Sequence, residues 1–212
     1  TQRTSSAASD VYKRQHWGIY SVPAAGPNVT WYPYWMYRPP SPQFDYHCKH
    51  YGHPSKFGYK DFIPMFTAEK FNAEEWADLY YRSGAKFAGP VAEHHDGFPM
   101  WNCSDTEWCA SKMGPKRDIV GELEKAIRNK GMKYMVAMHH AENWFFFPHW
   151  NNDFDTSKKE YESLYGELHN LDLIGNQAVY PDHWGRKNEH QDKPSKAFHD
   201  RSVSYTHLTL PT

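Results

Sequence analysis

Apolar side chains recur at helical spacing in two stretches of this chain. In "TAEKFNAEEWADLYYRSGAK" (67–86), Phe71, Trp76, Leu79 and Tyr80 follow a threonine cap at Thr67, and Ser83-Gly84 closes the run, which predicts a helix over about 70–83. In "GPKRDIVGELEKAIRNKGM" (114–132), Asp118 has the place of an N-cap, Ile119, Leu123 and Ile127 share a face, and Gly131 is the stop, so a second helix is expected over 118–130. Each helix leads into a short, largely apolar run, "FAGPVAE" (87–93) and "KYMVAMHH" (133–140), both read as strands. Short connections after helices and long ones after strands mark βα units around a parallel sheet. The two strands should therefore lie side by side and parallel, with the helices outside. Segment 16–47 is too rich in Pro, Gly and Trp for a helix and reads as a long excursion over a surface.

Composition narrows the function classes. With 212 residues, 39% hydrophobic and 17% aromatic, the chain has enough apolar material for one globular domain. Lys and Arg (24) nearly balance Asp and Glu (25), which leaves no basic stripe for a nucleic-acid backbone. No apolar run approaches the roughly 20 residues of a membrane span, and "TQRTSSAASD" lacks the apolar core of a signal peptide. Neither nucleic acid nor membrane is an expected partner. Cys48, Cys103 and Cys109 form no CxxC pair, and the sequons at Asn28 and Asn102 are short enough to arise by chance, so the compartment stays open. The 9 Trp, 15 Tyr and 14 His stand in segments otherwise polar or rich in Gly and Pro. Sugars present C–H faces for aromatic rings and hydroxyls for imidazoles, so this composition suits a carbohydrate site; an aromatic-rich core is the plainer alternative.

The candidate chemistry clusters at strand ends. His94, His95 and Asp96 follow the first strand, His139 and His140 the second, and in a (β/α) barrel that edge carries the active site. His16-Trp17-Gly18 would join them if a strand preceded it, yet "TQRTSSAASDVYKRQ" does not read as one. That segment, 1–15, and "RSVSYTHLTLPT", 201–212, read as adapter- or cloning-derived tails around a partial barrel at 16–200. The expected fold class is α/β, an incomplete N-terminal portion of a (β/α)8 TIM-like barrel. A metal reading draws on His94, His95, Asp96, His139, His140 and Glu142. Against it, adjacent residues rarely serve one ion and no His-x-x-x-His spacing occurs, so neither metal nor cofactor is expected. Lys116-Arg117 precedes an acidic cap and reads as a salt-bridged helix entrance.

In order and spacing, "HWGIYSVP", "TWYPYWMYR", "AEHHDGFPMW" and "GPKRDIVGEL" resemble the N-terminal half of the catalytic domain of family 29 α-L-fucosidases. The resemblance implies a retaining exo-glycosidase that releases terminal α-L-fucose, with a fucosylated oligosaccharide or glycoconjugate as partner. It assigns His16, His94 and His95 to fucose hydroxyls and Trp31 to the pocket wall, and it makes His139, His140 and Trp144 further candidates. Thr30 stands where many relatives carry glutamate. Retention requires two carboxyls about 5 to 5.5 Å apart. In the family these follow later strands, so the chain is expected to be a fragment without nucleophile or acid/base. Alone it should then be inactive and poorly soluble. Secreted, periplasmic and lysosomal locations all suit the parent. The alternative is a non-catalytic carbohydrate-binding or metal-dependent protein on the same barrel.

Overall fold

The computed structural model describes residues 12–140, 143–149 and 151–168, apart from the side chains of Tyr12, Arg14, Trp144 and Phe145. It is a mixed α/β structure on a parallel sheet. Strand β2 (Phe87–Glu93) is central, flanked on one side by β1 (Tyr12–Gln15) and on the other by β3 (Lys133–Tyr134) and β4 (Ala137–Met138). All pairings are parallel, with Tyr12 opposite Phe87, Phe87 opposite Lys133 and Val91 opposite Ala137. The expected pairing of 87–93 with 133–140 is therefore present, the second strand being interrupted at Met135 and Val136. Gly89 accounts for the close approach at that break: a Cβ there would collide with the carbonyl oxygen of Met135. The register shifts between Val91 and Glu93, beyond the break.

Strand β1 corrects the reading that no strand precedes His16, since Tyr12–Gln15 pair with Phe87–Pro90. A parallel edge is held by backbone hydrogen bonds, which "YKRQ" forms as well as an apolar sequence does. The N-terminal segment before residue 12 and the 201–212 segment lie outside the described residues.

The second correction concerns segment 16–47, expected as a helix-free excursion over a surface, taken here with the residues that continue it to 66. It contains helices α1 (Tyr32–Trp35) and α2 (Pro42–His50) and 3-10 turns at Ile19–Ser21, Val29–Trp31 and Tyr59–Met65. Ser41 caps α2, accepting from the Phe44 N–H at 3.0 Å, with Pro42 in the first turn where a missing N–H costs nothing. Ile19, Tyr32, Met36, Tyr59 and Phe62 are wholly inaccessible. At about 1.5–3 kcal/mol for each fully buried large side chain, they make the segment part of the core rather than a surface excursion. Short helical turns let rings alternate inward between the Pro and Gly residues, a pattern with no single period to read. His47 is at home here, accepting at Nδ1 from the Tyr32 hydroxyl (2.9 Å) and donating from Nε2 to the Phe57 carbonyl (2.8 Å), while burial lowers its pKa.

Helix α3 (Ala73–Arg82) begins five residues later than Thr67 would imply. Asn72 is its cap, its Oδ1 accepting from the Glu74 and Glu75 N–H groups at 3.0 and 3.2 Å. Its inward face is Ala73, Ala77 and Tyr80, whereas Leu79 is exposed. Helix α4 (Ile119–Asn129) matches its expectation: Asp118 accepts from the Gly121 N–H at 2.9 Å, and Ile119, Leu123 and Ile127 are buried. Arg117 pairs with Glu122, so the Lys116-Arg117 entrance is salt-bridged as expected. Helix α4 packs against α3 on one side and against β2 and β3 on the other.

Candidate functional site

Three loops leave the same edge of the sheet. His16 directly follows β1, His94 and His95 follow β2, and His139 and His140 follow β4. Parallel pairing brings these ends together, and four imidazoles meet there. Ring centroids lie 4.4 Å apart for His94 and His95, 4.9 Å for His95 and His139, and 5.1 Å for His94 and His139. His16 stands 5.7 Å from His94 and 5.6 Å from His139. Trp31 reaches His95 at 5.2 Å, and Phe146 of helix α5 (Asn143–Phe146) lies 5.3 Å from both His95 and Trp31.

The turn after β2 explains the sequence His-His-Asp-Gly. Asp96 is buried; its Oδ2 accepts from the Tyr59 hydroxyl at 2.7 Å and its Oδ1 from the Phe98 N–H at 3.3 Å. Gly97 has φ +76°, and a Cβ there would strike the Leu164 carbonyl and the Asn143 side chain. Only glycine meets both conditions. The tight turn lets two successive histidines converge instead of pointing to opposite faces as they would in a strand. Behind it, Asn143 Nδ2 donates to the carbonyls of His95 (3.0 Å) and Leu164 (3.3 Å). His95 Nδ1 lies 3.0 Å from the His139 carbonyl, a geometry that makes Nδ1 the protonated nitrogen.

Burial sets the charge of the cluster. His94 is pushed down to about 2, chiefly by desolvation and then by repulsion from His95, His139 and His16. His95 is lowered to about 4, again first by burial, with its hydrogen bond to His139 opposing and His16 adding. Both are neutral at pH 7 and offer one donor and one acceptor each.

Of the candidates read from sequence, His16, Trp31, His94, His95 and His139 come together. His140 faces elsewhere: it is buried and its Nδ1 is paired with the fully buried Glu93. Trp144 is on α5, but its side chain lies outside the described residues, as does Glu142. Trp17 turns away from the cluster to pack between Phe66, Phe71 and Trp76. Sequence reasoning passed over Tyr20, whose ring sits 5.2 Å from His94, together with Asn143 and Phe146, and it named Glu93 only as a carboxylate to suspect, not as the partner of His140. Tyr20 and Glu93 stand inside the motifs "HWGIYS" and "AEHHDG" and had a positional signal; Asn143 and Phe146 had none.

Residues 14–209 match the family described as Alpha-L-fucosidase. The plasma alpha-L-fucosidase of Homo sapiens is 44% identical over 131 residues, covering 61% of this chain and 27% of that protein. An alpha-L-fucosidase of Dictyostelium discoideum is 37% identical over 157 residues, 71% of this chain and 33% of that one. Among solved structures, Thermotoga maritima alpha-fucosidase in complex with fucose superposes with a TM-score of 0.59 at 40% identity, over 62% of this chain and 33% of that chain. The chain thus spans about a third or less of the length of these relatives.

Proposed function

Because the chain belongs to the alpha-L-fucosidase family, we propose that it supplies the fucose-binding wall of a retaining glycosidase, built on the first strands of a (β/α)8 barrel. The observation that carries this reading is the convergence of His16, His94, His95 and His139 with Trp31 at one edge of the sheet. Neutral imidazoles can each donate to one sugar hydroxyl and accept from another, and the Trp31 and Phe146 rings offer apolar faces to a sugar's C–H groups. The substrate would be a terminal α-L-fucose on an oligosaccharide or glycoconjugate. His16, His94, His95, His139 and Trp31 bind it, and Thr30, the residue before Trp31 in the chain, brings a neutral hydroxyl where many relatives carry glutamate. His140 holds Glu93 instead.

Retaining hydrolysis also needs a nucleophilic carboxylate and a second carboxyl that protonates the leaving oxygen and then activates water. Glu93 and Asp96 stand nearest in sequence to the cluster, and each is already engaged, by His140 and by Tyr59 with the Phe98 N–H. We place the dyad outside the described residues. The test uses the purified chain with L-fucose, followed by saturation-transfer NMR, and with an aryl α-L-fucoside. Fucose should bind, His95→Ala should weaken binding about tenfold, the worth of roughly one hydrogen bond, and no aryl alcohol should appear. Absence of any contact with fucose would overturn the sugar reading. Turnover at an enzymic rate would instead locate a dyad within the chain, with Glu93, Asp96 and Glu142 the first to substitute.

A further inference from the structure

We propose that His94, His95 and His139 also form a site for a divalent transition ion of zinc type, which binds where the sugar would and excludes it. One imidazole nitrogen from each residue lies within 4.8 Å of the others. Zinc–nitrogen bonds of about 2.0–2.1 Å place tetrahedral ligand atoms about 3.3 Å apart, so rotations of these side chains that bring the nitrogens together by about 1.5 Å complete the triangle. Adjacent residues rarely serve one ion, because in a regular strand their side chains point to opposite faces. The turn at Asp96-Gly97 removes that objection, since it brings the His94 and His95 rings to 4.4 Å.

Three further observations favour an ion over a merely packed cluster. First, the His94 and His95 side chains are buried, at 4% and 9% exposure, so bulk water competes little for their ring nitrogens. Second, the donor His95 Nδ1–H directed at the His139 carbonyl leaves Nε2 as the lone-pair nitrogen, the type of outer hydrogen bond that fixes a ligand's tautomer. Third, His94 Nδ1 is buried without a hydrogen-bond partner among the described residues, in a side chain only 4% exposed. An all-imidazole donor set suits Zn2+, Cu2+ or Ni2+ and not Mg2+ or Ca2+, which take oxygen ligands. Three protein ligands leave a fourth position for water, and the His16 ring lies 5.7 Å from His94 and 5.6 Å from His139. The exclusion of sugar rests on the function proposed above; the metal site itself does not.

The experiment is calorimetric titration of the chain with Zn2+, paired with the visible spectrum after titration with Co2+, whose tetrahedral complexes absorb far more strongly than octahedral ones. One Zn2+ per chain and strong tetrahedral Co2+ bands are expected. His139→Gln and His94→Gln should each weaken binding at least tenfold and remove the bands, while His50→Gln, at an exposed position on α2, changes neither. Unaltered affinity in both pocket variants overturns the proposal, and so does the absence of tetrahedral bands in the unsubstituted chain, whatever the variants' folding. Added L-fucose should lower the apparent Zn2+ affinity. Zinc binding lost with the histidines but indifferent to fucose would sink the sugar reading and leave the metal site standing; fucose binding without zinc binding would do the reverse.

Discussion

His94 and His95 make the stability of this chain depend on pH. Their folded-state pKa values, about 2 and about 4, lie below the usual 6.5 of the unfolded chain. Above that value both states are neutral and the residues contribute nothing. As pH falls through 6.5 the unfolded chain takes up protons that the folded chain refuses until about 4 at His95 and about 2 at His94, so stability declines across that window. Between pH 7.5 and 5.5 the loss should be about 1.4 kcal/mol for each histidine, measured by urea unfolding at the two values. The double variant His94→Gln/His95→Gln should show a clearly smaller difference; an equal one would mean that the rings are not held neutral by burial. His47, also buried but satisfied at both nitrogens, shows that burial alone does not distinguish a site histidine from a core one. The distinction lies in what the ring nitrogens face, and no residue type reveals that.

Among the elements, α4 was readable nearly to the residue, because a side-chain cap, a three-residue apolar face and a glycine stop are all local signals. Helix α3 was readable as a helix but not in its start, since Thr67 and Asn72 are both capable caps and only the packing of Ala73, Ala77 and Tyr80 selects between them. Strand β1 was missed: its pairing depends on the neighbouring strand, not on its own side chains. Gly89 belongs to the same class. Within "FAGPVAE" it looks like a weak strand residue, yet it admits the Met135 carbonyl between β2 and the β3–β4 strand. Gly89→Ala should destabilise the chain by about 1–3 kcal/mol through overpacking, seen as a lowered thermal midpoint. A midpoint equal to that of the unsubstituted chain would show that the two strands can part enough to absorb a methyl group.

Across the whole molecule, the loop after β1 and the loop after β4 are tied through one carboxylate. Asp155 Oδ1 accepts from the Tyr37 hydroxyl at 2.8 Å and Oδ2 from the Tyr165 hydroxyl, while those hydroxyls in turn accept from the N–H groups of Tyr59 (2.7 Å) and Lys60 (2.9 Å). Tyr59 continues the chain of contacts to Asp96 in the histidine turn. Removing the carboxylate leaves two buried hydroxyls without their acceptor, at about 1–3 kcal/mol each. Asp155→Ala should therefore lower the thermal midpoint and open both loops to limited proteolysis, and Asp155→Asn, which keeps an acceptor, should do so less. Equal protease resistance in all three would mean that the loops are held by their aromatic packing alone.

The sequence by itself determined the helix–strand alternation, the α4 cap and face, the strand 87–93, and the presence of histidine pairs at strand ends, because each is written in residues close together in the chain. It also carried, in four ordered motifs, the likeness to the fucosidase family. Tertiary structure alone decided that β1 joins the sheet, that the aromatic segment 16–66 is core, and that His139 joins the cluster while His140 turns to Glu93. The physical reason is common to all three. Backbone pairing, ring burial and the choice of a histidine's partner are settled by groups up to about a hundred residues away, such as Arg38 donating to the Phe146 carbonyl at 3.1 Å, and a one-dimensional pattern holds no record of which distant groups will meet.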